Sequence, residues 1–426
     1  RCAPWGAPMT SCALRERYLT FFEARGHVRG PSDSLIPGND PTLLFTVAGM
    51  VQFKPLYVAK EKPYARATSC QRCLRTNDID LIGLTRRHLT FFEMLWNFSF
   101  GDYFKQETIV WALEFLTKEL RLDPAKLHPT VFEKDDEAAA MWAKIVPASR
   151  IVKFGDEDNY WPAGSALSGW VGPNGPCSEI FYDFGERACG HTVKCTRPGE
   201  HDTNCERFRE VWNLVFPQFI RDADGNNPKM PAPGIDTGMG FDRLVAVLQE
   251  KDSVFATDLF EPLMRKSAEI LKTGETTAAA ATAQRIAADH ARAATFLFND
   301  GIVPSNEGRG YVLRRLIRRA VRQTALFGEA RPIISELVPV IVEKLGGAYP
   351  EIRERVHAIR SALRQEEEIF ITTLDRGLAE LRKERDAGHT TLGGDRAFFF
   401  YDTFGFPREL TEDIWGREYR LALTPA

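Results

Sequence analysis

Cysteine is scarce. Eight residues in 426 are too few to staple a chain of this length as a disulfide scaffold, so reduced thiols and a cytoplasmic setting are expected. Long hydrophobic runs are missing too. The densest, Leu337 to Val342, is far short of the roughly 18 apolar residues of a membrane-spanning helix, and no membrane partner is expected. The opening residues lack a charged segment followed by an apolar one, so no secretory signal is expected; the chain opens on Arg1, and Met9 is an alternative start. Charge of one sign is also lacking. Lysine and arginine number 55 against 58 acids, a net charge of −3, which excludes binding of a polyanion by total charge but allows a local basic face. GxxxxGK[ST], GxGxxG after a strand, and GxSxG are all absent. These absences exclude a P-loop, a dinucleotide fold and a nucleophile elbow. With 44% hydrophobic and 27% charged residues, the composition is that of a globular chain of about two or three domains.

What is present divides the chain. Leu14, Tyr18, Leu19 and Phe22 share a helical face that Gly26 would end. Thr42 to Met50 is rich in strand formers. Two apolar stretches between Tyr64 and Phe104 flank the polar run RTNDIDLIGLTRRH, which predicts an antiparallel strand pair with a long loop. Gln106 to Leu120 returns to helical spacing, Ile151 to Phe219 mixes glycine and proline with short strand-like runs, and Gly234 to Leu248 reads as strand, glycine turn and helix. After about residue 270 the low-complexity TGETTAAAATAQ introduces an almost wholly helical half. There Glu351 to Asp386 fits one long amphipathic helix or a helix with a small break. The expected fold is α+β, with an antiparallel sheet flanked by helices in residues 1–250 and an all-α domain in 251–426.

A nucleotide, if bound, therefore meets an antiparallel sheet. Arg75 precedes the polar loop and His88 follows it, with Phe91, Phe92 and Glu93 on the next strand. Alternation would point His88 and Phe92 one way and Phe91 and Glu93 the other. Guanidinium forks suit phosphates and an aromatic face suits adenine; Arg243, after DTGMG, is a second candidate clamp. Singly, each of these is most simply a salt bridge or a core residue.

In order along the chain, DPTLLFTVAGMVQFKP, CLRTNDI, RRHLTFFEM, NFSFGDYF, GPCSEIFYD, VWNLVF, DTGMGFDR, PSNEGRGYVLRRLIRRAVR and YDTFGFP resemble the alanine-specific family of class II aminoacyl-tRNA synthetases. The resemblance covers nearly the whole chain and implies the catalytic and tRNA-recognition portion, without the editing domain that relatives carry after it. It implies L-alanine, ATP with Mg²⁺, and the acceptor stem of alanine tRNA as substrates. By the same resemblance Arg75 meets the α-phosphate and the amino-acid carboxylate, His88, Phe92 and Glu93 line the adenosine and phosphate site, and Arg243 holds the outer phosphates. Trp161 and Asn213 line the alanine pocket and Asp236 receives the ammonium, while Gly238 beside it leaves room for only a small side chain. The chemistry needs no protein nucleophile: the alanine carboxylate attacks the α-phosphorus, pyrophosphate leaves, and the adenylate passes its acyl group to the terminal ribose.

Arg309, Arg314, Arg315, Arg318, Arg319 and Arg322 occur with no acid between them, a stripe that suits a phosphate backbone. By resemblance Asn306 and Asp402 read the G·U pair of the acceptor stem. Trp96 departs from the family, standing where glycine is usual, and the loop at Thr76 to Ile79 is the short form. Cys189, Cys195, His201 and Cys205, with His191 as an alternative to His201, have the makings of a zinc site. Cys70 and Cys73 read as strand packing. Two other readings stand beside the ligase: a catalytically silent RNA-binding paralogue, and an adenylating enzyme with another acceptor. The oligomeric state is left open.

Overall fold

The computed structural model describes residues 9–38, 43–164, 169–202, 205–273, 277–404, 406, 411–418 and 421–423. These fall into two compact units. The first runs to Leu74 and resumes over Phe92–Asp258; the second comprises Arg75–Phe91 and the chain from Leu259 onward.

The first unit opens with α1 (Ser11–Glu23). Thr10 caps it, its hydroxyl accepting from the Ala13 N–H at 3.2 Å. The spacing of Leu14, Tyr18, Leu19 and Phe22 buries them on one face, with Phe21 beside them, and Gly26 at φ +79° turns the chain out. Further helices of this unit are α2 (Met50–Phe53), α3 (Lys105–Glu114), α4 (Asp136–Ala143), α5 (Asp156–Asn159) and α6 (Phe241–Leu248). Its strands are β1 (Val28–Arg29), β2 (Arg66–Leu74), β3 (Phe91–Ser99), β4 (Leu127–Phe132), β5 (Val152–Phe154), β6 (Tyr160–Trp161), β7 (Gly172–Asp183), β8 (Phe208–Val215), β9 (Phe219–Arg221) and β10 (Ile235–Gly240). Among the described residues they form one sheet in the order β1-β2-β3-β10-β8-β7-β4-β5, with β6 and β9 paired to β7. The outer pairs β1–β2 and β4–β5 are parallel, whereas β3–β10, β10–β8, β8–β7, β7–β4, β6–β7 and β9–β7 are antiparallel, so the sheet is antiparallel-dominant and flanked by helices, as the α+β reading expects.

Two local expectations change. The described part of the strand-forming run, 43–49, contains no strand. Its backbone is satisfied one bond at a time instead: Thr46 N–H donates to Leu35 O, and Thr46 O accepts from Leu74 N–H, both at 2.9 Å. His88 lies in the loop before β3, so strand alternation does not reach it, while Phe91 and Glu93 are buried and Phe92 and Met94 half-buried, as alternation requires.

The face of the sheet that carries Glu93, Leu95 and Asn97 is dry. Glu93 is fully buried, and Arg15 of α1 grips its carboxylate with Nε and Nη2 at 2.8–3.0 Å. Tyr18 OH donates to Asn97 Oδ1 at 3.0 Å, and Asn97 Nδ2 donates to Tyr103 OH at 2.9 Å. Polar groups here are buried but paired, which is what makes the burial tolerable.

The second unit is helical: α7 (Glu261–Leu271), α8 (Ala278–Asn299), α9 (Gly308–Leu326), α10 (Ile334–Leu345), α11 (Pro350–Glu354), α12 (Val356–Asp386) and α13 (Gly394–Phe404), with a small pair β11 (Thr391–Leu392) and β12 (Ala422–Leu423). The alanine-rich run opens α8, where Thr277 caps through Ala280 N–H at 3.1 Å. The small side chains of Ala280, Ala283, Ala287 and Ala291 are buried, letting neighbouring helices approach closely. The 351–386 periodicity resolves into α11 and α12 with a break at Arg355. Glu367 of α12 accepts from the N–H groups of Ile333, Ile334 and Ser335 at 2.7–3.1 Å, satisfying the buried start of α10.

The polar loop 75–91 packs with this helical unit. Asp289 accepts from Thr90 N–H at 2.8 Å, and the Phe91 and Phe296 rings stack with centroids 4.4 Å apart. Gly83, at φ +92°, leaves room for Thr282 and Ile286.

Removing one partner of a buried ion pair leaves the other charge uncompensated. Glu93→Ala is therefore expected to lower unfolding stability by about 3–5 kcal/mol, read as a drop in the urea midpoint at unchanged slope; a midpoint within experimental error of the parent would show that Arg15 finds another partner at no cost.

Candidate active site

In antiparallel pairing, residues directly opposite point to the same face. β10 lies between β3 and β8, and β8 beside β7, which sets a row across four strands: Trp96, Gly238, Asn213 and Glu179. The next row is Phe98, Asp236, Val215 and Cys177. Asp236, Gly238 and Asn213 therefore share one face of the sheet. Phe92, Met94 and Trp96 join them from β3 by alternation.

The polar groups of this face are unusual. Asp236 is 1% exposed and its Oδ1 has no partner among the described residues. Burial pushes its carboxyl well above the usual carboxylate range. Asn213 Nδ2 donates to Glu179 Oε1 at 3.2 Å, while Asn213 Oδ1 is buried with no partner among the described residues. The Glu179 carboxyl is also pushed well up, by burial first and by the neighbouring negative charge of Glu210 second. A buried carboxylate with an empty acceptor suits a cation with several N–H donors.

Gly238 gives a different result from the one its size suggests. A Cβ there would lie 2.9 Å from Met94 Cε and 2.9 Å from Trp96 Cη2. The room beside Gly238 is thus taken by the indole of Trp96. Trp161, on β6, is half-buried, packs against the cluster that contains Trp96 and Phe98, and meets Trp170 edge-on at 4.9 Å. Arg243 of α6 is held by Glu210, Nη1 to Oε2 at 2.7 Å, with its side chain 30% exposed. Glu93 points to the opposite face and is occupied by Arg15, so its side chain serves the fold there. Arg75 and His88 belong to the second unit, His88 beside Thr85 Oγ1 at 2.8 Å.

The arginine stripe of α9 is also rearranged. No acid lies within it, yet acids arrive from other elements. Glu366 of α12 meets Arg314 at 2.9 Å and Arg318 at 3.5 Å, and Asp80 meets Arg315 at 3.1 Å. Arg319 donates to His290 Nε2 at 2.9 Å and to Ile82 O at 3.2 Å. His290 must then be neutral, with its Nδ1–H donating to Asp289 at 2.8 Å; burial holds its pKa down. All six arginines are half-buried. Arg322 lines a groove of about 200 Å³ with Leu326, Leu374, Leu378, Arg382 and Arg385. Asn306 is exposed just before α9 and accepts from Arg314 Nη1. The Asp402 side chain lies outside the described residues.

Between β7 and β8 the cysteines converge. The donor atoms of Cys189, His191, Cys195 and Cys205 all lie within 4.8 Å of one another. Cys205 and Cys189 sulfurs are 3.6 Å apart, and His191 Nδ1 is 3.6 and 3.4 Å from Cys189 and Cys195. A tetrahedral metal with bonds of about 2.3 Å needs donors about 3.8 Å apart, so this set can hold one. His191 Nε2 faces Asp202 Oδ2 at 2.8 Å, the outer partner that orients a metal-bound imidazole. The Cys195 N–H and other donors lower the Cys189 thiol to about 6. His201 is corrected out of the set: its Nε2 meets Val193 O at 2.9 Å, and His191 takes the place given to it.

The description "tRNA synthetases class II (A)" matches residues 13–420. The chain belongs to this family. Among relatives of this class II synthetase chain, the alanine–tRNA ligase of Endomicrobium trichonymphae is 48% identical over 412 residues, covering 95% of this chain and 46% of the relative. Those of Idiomarina loihiensis and Desulforamulus reducens are each 47% identical, over 423 and 417 residues, and cover 97% and 95% of this chain and 47% and 46% of their own length. The chain spans about half the length of the curated relatives it matches. Within the synthetase sheet, sequence reasoning assigned nothing to Glu179 and Glu210. Alternation from Cys177 along GPCSEIFYD puts Glu179 on a definite face, but only the register with Asn213 says which neighbours share it.

Purified protein is expected to carry about one tightly bound metal per chain. His191→Ala should lose it and melt at lower temperature, while His201→Ala should keep it. Elemental analysis of both variants checks this, and equal metal in the two would exclude His191.

Proposed function

We propose that this chain is the aminoacylating portion of an alanine–tRNA ligase, which joins L-alanine to ATP as an adenylate and passes the alanyl group to the terminal ribose of alanine tRNA. The observation that carries this reading is the buried Asp236 carboxyl, its Oδ1 without a partner among the described residues, on the same sheet face as Gly238, Asn213 and Trp96, in a chain about 47% identical to alanine–tRNA ligases. In this reading Asp236 binds the α-ammonium and trades a costly buried proton for a paired charge. Asn213, steadied by Glu179, and Trp161 fix the amino acid from the side. Holding the substrate in this way leaves its carboxylate to attack the α-phosphorus of MgATP. Arg75, by its motif, meets the α-phosphate and the amino-acid carboxylate. Arg243, steadied by Glu210, meets the outer phosphates, and Phe92 and His88 border the adenosine. Guanidinium charge opposes the negative charge that builds as pyrophosphate leaves. Glu93 contributes by fixing β3 rather than by touching ATP.

We assign adenylation to residues 1–250 and acceptor-stem recognition to residues 251–426, in the cytoplasm. Asn306 and Asp402 are proposed to read base edges, where an amide and a carboxylate test donors and acceptors. Among the arginines, Arg322 with Arg382 and Arg385 is the proposed backbone contact. Arg309, Arg314, Arg315, Arg318 and Arg319 belong to the same proposed contact, the last four also being paired within the protein. Zinc is the proposed metal at Cys189, His191, Cys195 and Cys205, because three thiolates and one imidazole suit it. There it would be structural, closing the 189–205 loop.

One observation favours a silent paralogue: the Trp96 indole beside Gly238. Alanine-dependent pyrophosphate exchange separates the readings, since a silent chain gives none. Charging of purified alanine tRNA separates the ligase from an adenylating enzyme with another acceptor.

Asp236→Asn keeps the shape and removes the charge. Folded Asp236 keeps its proton to higher pH than the unfolded chain does, where aspartate titrates near ~3.9. Its contribution therefore turns against the fold as pH rises from about 4 through the folded pKa. Asp236→Asn is expected to raise the melting temperature at pH 7, to flatten its decline with pH, and to cut alanine-dependent exchange at least a hundredfold, about 2.7 kcal/mol. Near-parental exchange would remove Asp236 from ammonium binding. Asn306→Ala is expected to slow charging of alanine tRNA and leave exchange near parental; equal loss in the two assays would make Asn306 structural.

A further inference from the structure

Trp96 is 5% exposed and lies opposite Gly238 in the β3–β10 register. Its ring is clamped between two glycines. A Cβ on Gly238 would stand 2.9 Å from Cη2, and a Cβ on Gly49 would stand 2.5 Å from Cδ1. Phe98 backs the ring, its plane 3° from the indole and the centroids 5.7 Å apart. The indole therefore cannot swing toward Gly238 or Gly49, and its Nε1–H is buried with no partner among the described residues. Asp236, two residues from Gly238 on the same face and opposite Phe98, buries an Oδ1 with no partner among the described residues.

We propose that Trp96 is a specificity-determining residue: a fixed indole wall that limits the amino-acid pocket to a side chain no larger than a methyl group. The proposal rests on the assignment of this face to amino-acid binding. The physical reason is packing. A rigid ring held by two glycines and a parallel phenyl cannot yield to an added methylene, whereas a flexible side chain would. Small pockets usually discriminate one methylene by only about ten- to two-hundredfold, which sets the scale of the change that such a wall can add.

The test uses the full chain in pyrophosphate exchange with alanine and with 2-aminobutyrate, which is one methylene longer. Trp96→Gly is expected to raise the kcat/KM ratio of 2-aminobutyrate to alanine by about tenfold or more, and Trp96→Phe by less. A second measurement needs no activity. Gly238→Ala should lower the melting temperature in the parent and do so less in the Trp96→Gly background, because the added methyl meets the indole only in the parent. If Trp96→Gly fails to fold, the Trp96→Phe ratio and Gly238→Ala in the Trp96→Phe background carry the test. An unchanged substrate ratio in a folded variant overturns the proposal. Activation of alanine only after Trp96→Gly also overturns it, since the indole would then be a plug. No activation of any amino acid by either protein instead fails the ligase reading, and the melting cycle still reports whether the indole fills the space at Gly238.

Discussion

Everything on the sheet face that carries Asp236 depends on one register. β10 pairs with β3 and β8 so that Gly238 lies between Trp96 and Asn213, and Asp236 between Phe98 and Val215. Side chains in a sheet alternate with a period of two, so a slip by one residue would send Asp236 into the dry face and bring Thr237 forward. The dry face resists such a slip. Trp212 Nε1 donates to Thr237 Oγ1 at 3.0 Å, and Thr237 Oγ1 donates to Asn97 Oδ1. A slip would break these buried hydrogen bonds together, each leaving a stranded polar group at about 1–3 kcal/mol.

The two faces treat polar groups in opposite ways. On the face packed against α1, Glu93 and Asn97 are buried and engaged. On the other, Asp236, Asn213 and Trp96 each bury a polar atom that has no partner among the described residues. Orphaned polar atoms cost stability, and a protein keeps several in one place when a ligand completes them. The contrast supports, independently of any motif, the face on which we propose that the ligand binds.

Charge is managed similarly in the helical unit. A helix with six arginines and no acid would repel itself, but Glu366 and Asp80 arrive from distant segments and His290 accepts from Arg319. Several arginines of the stripe are thus paired within the protein. At the cysteine loop the same logic runs toward a metal: three sulfurs and an imidazole converge around one point, with Cys195 fully buried and Cys189 and Cys205 nearly so.

The sequence alone was enough for α1, for the strand pair around a long loop, for the strand and helix at Gly234 to Leu248, and for the broken helix after residue 350, because each is a local period or a turn signal. It also carried the ordered motifs that identify the family, since those are strings. It could not tell that 43–49 would form no strand, since strand formers become a strand only where a neighbour offers a continuous ladder. Nor could it choose His191 over His201, find acids for the arginines of α9, or see Trp96 fill the space at Gly238. Those outcomes depend on which distant segments come within a few ångströms, and that is set by register and packing, which only the tertiary structure decides.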